Sequence, residues 1–208
     1  MISDLKGRAL DALEGKWGLA VGITLLIIIL ISICRTVITV PFSFIWGWEE
    51  ASRSLSVDVV AMLIIGPLTL GAYSLVLRAV REQDVKASQL FSWFTDGSKL
   101  IKSFLTYLLI YVYLILWTLL LIIPGIIKSF SYSMTYFILN DHPEYTMNQA
   151  ITESRRIMDG HKLDYFLVCL SFIGWFLLSI VTIGIGFLWL IPYFYTTSAA
   201  FYEEITKD

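Results

Sequence analysis

The chain has 208 residues, of which 57% are hydrophobic and only 15% charged, with a net charge of −2. A soluble domain carries about 45–50% apolar and about 25% charged residues, so both figures depart in the membrane direction. They exclude a disordered chain and a basic nucleic-acid-binding domain, and they argue against a soluble enzyme.

A membrane span needs about 20 mainly apolar residues to cross roughly 30 Å of hydrocarbon. Residues 17–34 and 59–77 are each free of Asp, Glu, Lys, Arg, His, Asn and Gln. A third block covers 103–139 and is interrupted by Lys128 alone. A fourth, 165–202, has 38 residues and no interruption. At 1.5 Å per residue a helix of that length would reach about 57 Å, so the last two blocks must each fold back. Pro124-Gly125 is the expected break in one and Thr182-Ile183-Gly184-Ile185-Gly186 in the other. The reading is all-α: one integral membrane domain over 1–208, with six spans near 17–37, 57–79, 101–123, 126–140, 164–182 and 187–203. The first span outlasts the 7–15 residues of a signal-peptide core and no small-x-small site follows, so it is expected to be retained.

Lys and Arg set the orientation. With the N-terminus in the cytoplasm, Arg35, Arg53 and Lys128 fall outside and the other twelve basic residues inside. Both termini are therefore expected in the cytoplasm of a multi-pass protein. Trp46 and Trp48 are expected to anchor the one long outer segment, 38–56, at the interface.

Three similar stretches precede the odd-numbered spans: Glu14-Gly15-Lys16, Asp96-Gly97-Ser98-Lys99 and Asp159-Gly160-His161-Lys162. Each follows a short segment with helical apolar spacing. The third segment is the clearest, with Met147, Ala150, Ile151, Ser154, Ile157 and Met158 on one face and a Thr146-x-x-Gln149 capping box at its start. The chain thus reads as three pseudo-repeats, near 1–80, 84–141 and 145–204. Each is a cytoplasmic interfacial amphipathic helix, a Gly stop and a transmembrane hairpin. Such boundary Gly and Lys residues also collect at any inward-starting hairpin.

Cys34 and Cys169 lie in apolar runs and read as buried thiols. No span interior holds Asp or Glu, which argues against a carboxylate-driven carrier. Asn140-Asp141-His142-Pro143-Glu144 gathers potential metal ligands, but reads better as a loop shaped by Pro143, so no metal or cofactor is expected. No nucleophile–base pair is visible, and no enzyme activity is expected.

The fourth span carries Ser129, Tyr132, Ser133 and Tyr136, and the sixth carries Tyr193, Thr196 and Thr197. Hydroxyls of this kind glue membrane helices together. Alternatively they line a polar cavity between the even-numbered spans that admits an amphiphile. Arg155 and Arg156, on the polar face of the third short helix, are the candidate residues for docking a partner. Gly66, Gly71, Ala72, Ser171 and Gly174 are small enough for close helix contacts, within one copy or between copies of a homo-oligomer.

Ile123-Pro124-Gly125-Ile126, Tyr132-Ser133-Met134, Asp141-His142-Pro143, Met158-Asp159-Gly160, Ile191-Pro192-Tyr193 and Ala200-Phe201-Tyr202 together resemble a family of bacterial integral membrane proteins. The family is catalogued as domain of unknown function 975. The likeness covers most of the chain and is strongest over 120–204. The family is distantly similar to membrane domains fused to some glycerophosphodiester phosphodiesterases, whose catalytic barrel is absent here. The resemblance implies a bacterial cytoplasmic membrane, Gram-positive in type, and carries over no catalytic residue or ligand.

Two functions are expected to compete. One is transport or handling of a hydrophobic or amphiphilic solute such as a lipid, a peptide or a small molecule. The other is a non-enzymatic adaptor or scaffold that docks a protein at the cytoplasmic face. Membrane lipids are partners in either case, and nucleic acid in neither.

Overall fold

The structure, a computed structural model, describes residues 1–46 and 55–207. Every element among them is helical. Apolar runs this long, starved of charge, have no other way to satisfy their backbone groups inside a bilayer short of a closed barrel. Trp48, Arg53 and the Trp46 side chain lie outside the described residues.

Helix α1 (Ile2–Leu13) ends at Glu14, where Gly15 turns the chain with φ +68°. Helix α2 (Trp17–Trp46) follows and runs well past the expected end at 37. Helix α3 (Leu55–Val80) contains Pro67. The second short segment forms a 3-10 helix, Ala87–Phe94, rather than an α-helix. In helix α4 (Gly97–Leu120), Gly97 is the first residue, capped by the Asp96 carboxylate, which accepts from Ser98 N. It is not the stop of the preceding segment, as the repeat reading had it. Gly15 and Gly160 do take the left-handed conformation expected of a stop, at φ +68° and +86°.

The third block reverses at Leu121, which is extended (φ −164°, ψ 145°), and not at Pro124-Gly125. Pro124 sits in the first turn of helix α5 (Ile122–Tyr132), where the amide it lacks would have no acceptor anyway. Gly125 faces the opposite arm: a Cβ there would lie 2.5 Å from Thr118 Oγ1. The turn after residue 181 falls where expected, with Ile183 and Gly184 at φ +54° and +86°. Thr182 Oγ1 accepts from Gly186 N at 3.0 Å.

Two of the expected spans are interrupted. Residues Ser133 and Met134 separate α5 from helix α6 (Thr135–Asp141). Residues Ser171 and Phe172 separate helix α8 (Lys162–Leu170) from helix α9 (Ile173–Val181). Between the pairs lies helix α7 (Met147–Ile157), which opens on the Thr146–Gln149 capping box. Helix α10 (Phe187–Ile205) closes the chain.

Five helical stretches are long and apolar enough to cross a membrane: Trp17–Val37, Ala61–Val80, Gly97–Leu120, Ile122–Asp141 and Lys162–Val181. The sixth expected span corresponds to α10, a 19-residue helix that falls outside this set. Its second half is rich in hydroxyls and ends in Glu203-Glu204, which lowers its mean hydropathy.

The core sits at one end of the bundle, its base. There Leu5, Ala9 and Leu13 of α1, Trp93 of the 3-10 helix, Phe137 to Leu139 of α6, Ala150 of α7 and Ala199 to Tyr202 of α10 pack together. The apolar faces of α1 and α7 are therefore spent on the protein, not laid on lipid as interfacial helices would be. At the far end the helices are bare: Leu119 is 84% exposed and Ile183 93%. Large exposed apolar residues at that density need a hydrocarbon solvent.

Candidate functional site

A concavity lies between α2, α3 and α10. Apolar residues line it on all three walls: Ile23, Ile27 and Ile31 from α2, Leu68, Ala72 and Val76 from α3, Ile191 and Pro192 from α10. Its volume is about 310 Å³, at the lower end of the roughly 300–1,000 Å³ common for small-molecule sites. Along α2 the lining runs from Lys16 to Ile31, a rise of about 22 Å at 1.5 Å per residue. The cleft is therefore elongated along α2. Ile28 lines it and is 42% exposed, so the cleft reaches the outer surface of the bundle.

Polar groups in this lining are few. Lys16 is its one formal charge among the described residues, placed at the base where α1 turns into α2. Thr24 and Thr69 also line it, but their hydroxyls donate back to the carbonyls of Ala20 (2.9 Å) and Ile65 (2.7 Å). Thr196 behaves differently. It is fully buried, and its hydroxyl has no hydrogen-bond partner. Its successors Thr197 and Ser198 donate to Tyr193 and Phe194, four residues back. Thr135 is the other buried hydroxyl without a partner among the described residues, and it does not line the cleft.

Of the seven candidate ligand-lining residues, Thr196 alone lines this cleft. Tyr136 stands one ring behind it, 5.1 Å from Tyr73, which does line it. Tyr132 packs near Tyr113 and Tyr193 against Phe172, both buried. Ser129 is exposed and donates to Ile126 O; Ser133 donates to Phe130 O at the α5–α6 break. Thr197 is buried and bonded to its own helix. The hydroxyls thus mostly satisfy themselves locally, and the cavity lies between the first, second and sixth expected spans, two of them even-numbered.

Arg155 and Arg156 are both exposed on the outer face of α7. Arg156 forms a two-bond pair with Glu153 at 2.6 and 2.9 Å. That pairing holds the Glu153 carboxyl below its ordinary range and raises the guanidinium.

A second polar assembly was not anticipated. Arg81, just past α3, donates to both carboxylate oxygens of Asp141 at 2.7 and 2.8 Å and to Glu203 at 2.7 Å. Tyr202 donates to Asp141 at 2.9 Å. These bonds, the one to Asp141 first, raise the Arg81 pKa. The clasp ties the ends of α3, α6 and α10 together at the base. The signal in the sequence was that each of the three charges follows an apolar run that ends at the base. Beside it, a polar recess of about 550 Å³ is lined by residues of both signs, among them His142, Glu153, Arg156, Asp159 and His161. Among the described residues no group of three His, Cys, Asp or Glu side chains is placed to hold a metal ion. Both cysteines are free.

No curated protein and no solved structure matches the chain. The family described as protein of unknown function (DUF975) matches it in two overlapping segments, residues 1–128 and 118–208, so that between them the whole length is covered. A match of that extent, on a chain whose helices are long and apolar enough for a membrane, settles the family: the chain belongs to DUF975.

Proposed function

We propose that this is a binding protein of the bacterial cytoplasmic membrane that holds a lipid-like amphiphile in the cleft between α2, α3 and α10. In this reading α10 serves as a sixth span beside the five, and the base with both termini faces the cytoplasm. The orientation rests on the bias of Lys and Arg toward the base side. The observation that carries the function is the shape and lining of the cleft: elongated, about 310 Å³ and apolar on three walls. The solute is handled by binding, with no covalent step.

Filling the cleft tests this. Ala72→Trp places an indole across the α3 wall, where the existing residue is small and half-buried. The protein, extracted directly into lipid nanodiscs, is expected to retain one tightly held amphiphile in native mass spectrometry. Ala72→Trp should lower that occupancy about tenfold, a loss of about 1.4 kcal/mol, while the far-ultraviolet circular dichroism stays helical. Equal occupancy in both proteins would rule the cleft out as the site.

The adaptor reading rests on the exposed Arg155, which has no ion-pair partner among the described residues. In that reading α7 presents it to an acidic protein surface at the cytoplasmic face.

A further inference from the structure

Within a bilayer an apolar cleft is a poor discriminator by itself. Lipid tails are as apolar as Leu, so a chain gains little by moving from lipid into the cleft. Selection must come from the size of the cleft and from the polar groups along it. The volume of about 310 Å³ leaves room for about one chain. Lys16, at the base end, lines the cleft as its one charge among the described residues.

Four other basic residues are already engaged. Lys6 donates to Ser171 O at 2.8 Å, Arg8 pairs with Glu204 at 2.7 Å, and Lys86 pairs with Asp84 at 2.9 Å. Arg81 is held by two carboxylates. Lys16 is half-buried, and its ammonium has no hydrogen bond or ion pair among the described residues. No carboxylate shares the cleft lining with it. An unpaired ammonium at the mouth of a single-chain apolar groove is complementary to one ligand class.

We infer that the cleft takes a single-chain amphiphile with an anionic head, a carboxylate or a phosphate ester, whose head pairs with Lys16 while its chain lies along α2 toward Ile31. The inference rests on the cleft being the binding site and adds the charge and chain number of what binds. Fatty acids, lysophospholipids and monoalkyl phosphates share the required head and chain, and the experiment separates carboxylate from phosphate.

The test uses the full chain in nanodiscs of zwitterionic phosphatidylcholine, which supplies no anionic competitor. Binding of radiolabelled dodecyl phosphate is measured and competed with unlabelled dodecanoate, dodecyl phosphate, dodecanol and dodecyltrimethylammonium. The wild type should show saturable binding, displaced by either anion and at least about tenfold less well by the alcohol and the cation. The stronger of the two anions names the head. Lys16→Gln should weaken dodecyl phosphate about tenfold, and Lys16→Arg should restore most of it. Lys99→Gln removes a charge from the first turn of α4, outside the cleft lining, and should leave binding unchanged.

Ile27→Trp, in the α2 wall, separates the two levels of the reading. If it abolishes binding while Lys16→Gln does not weaken it, the cleft is the site and the head-group inference is overturned. If Lys99→Gln weakens binding as much as Lys16→Gln, the effect belongs to the surface field, and the pairing is overturned as well. If neither Ile27→Trp nor Lys16→Gln changes binding, or if the wild type shows no saturable binding, the cleft reading falls and this inference with it.

Discussion

Asp141 is among the most connected polar residues in the described structure. It accepts two bonds from Arg81 and one from Tyr202, and its side chain is only 20% exposed. Exposed ion pairs contribute little, but a bidentate arginine within a network of this kind is the favourable exception. Asp141→Ala would leave the Arg81 fork half-used and the Tyr202 hydroxyl without its acceptor. We expect it to cost about 2 kcal/mol in thermal or denaturant unfolding of the purified protein, the range for losing a hydrogen-bonded charged partner. A change under about 0.5 kcal/mol, ordinary for a surface substitution, would show that the clasp is decoration. Single residues are also where the sequence was most and least legible. The Thr146–Gln149 capping box could be read directly, because capping needs only residues three apart. The clasp could not, because Arg81, Asp141 and Glu203 are separated by 60 residues or more and nothing local announces that their helix ends converge.

At the scale of elements, the apolar blocks gave the helices, and Gly and Pro gave their turns less reliably. The 182–186 turn falls where its glycines put it. The earlier reversal moved to Leu121, because Pro124 is better accommodated inside the first turn of a helix than at a bend. The breaks at Ser133-Met134 and Ser171-Phe172 carry no Gly or Pro at all. Both are met by a donor from far along the chain: Ser154 Oγ donates to Ser131 O, and Lys6 Nζ donates to Ser171 O, each at 2.8 Å. A carbonyl beside a helix break needs such a partner at membrane depth, and only the fold reveals who provides it. Small residues also divide by tertiary context. A Cβ on Gly71 would run into the backbone carbonyl of Leu90 in the 3-10 helix, and one on Gly66 would lie 2.9 Å from Ser103 O of α4. Both are spent on packing within one copy. Gly174 has nothing within 4 Å. Gly71→Ala should therefore destabilise the protein by about 3 kcal/mol, at the upper end for overpacking, and release the 3-10 helix to faster amide exchange. Gly174→Ala should be neutral or slightly stabilising, as alanine favours helix. Equal effects from the two would mean that the 3-10 helix does not dock on α3 as described.

At the scale of the molecule, a compact base supports helices that are bare at the other end. The three short helices, expected to float at the interface, instead close the base with their apolar faces. The cleft follows from which segments become neighbours. Helices α2 and α10, the first long helix and the last, come together with α3 between the base and Ile31. Composition told that these segments were apolar, but not that the first and last would share a wall. Thr196 was legible as a hydroxyl in an apolar run. Lys16 was legible only as a topology signal, since its place at the end of a groove depends on the turn at Gly15. The central claim is that the groove, and not the bare outer surface, holds an amphiphile. The most direct measurement is photo-crosslinking in nanodiscs with a fatty-acid probe carrying a chain-terminal diazirine, followed by peptide mapping. The account predicts adducts concentrated on Ile31 and Leu68 at the end of the groove and competed by unlabelled dodecanoate. Adducts spread over Leu119, Val181 and Ile183, insensitive to competitor, would contradict it.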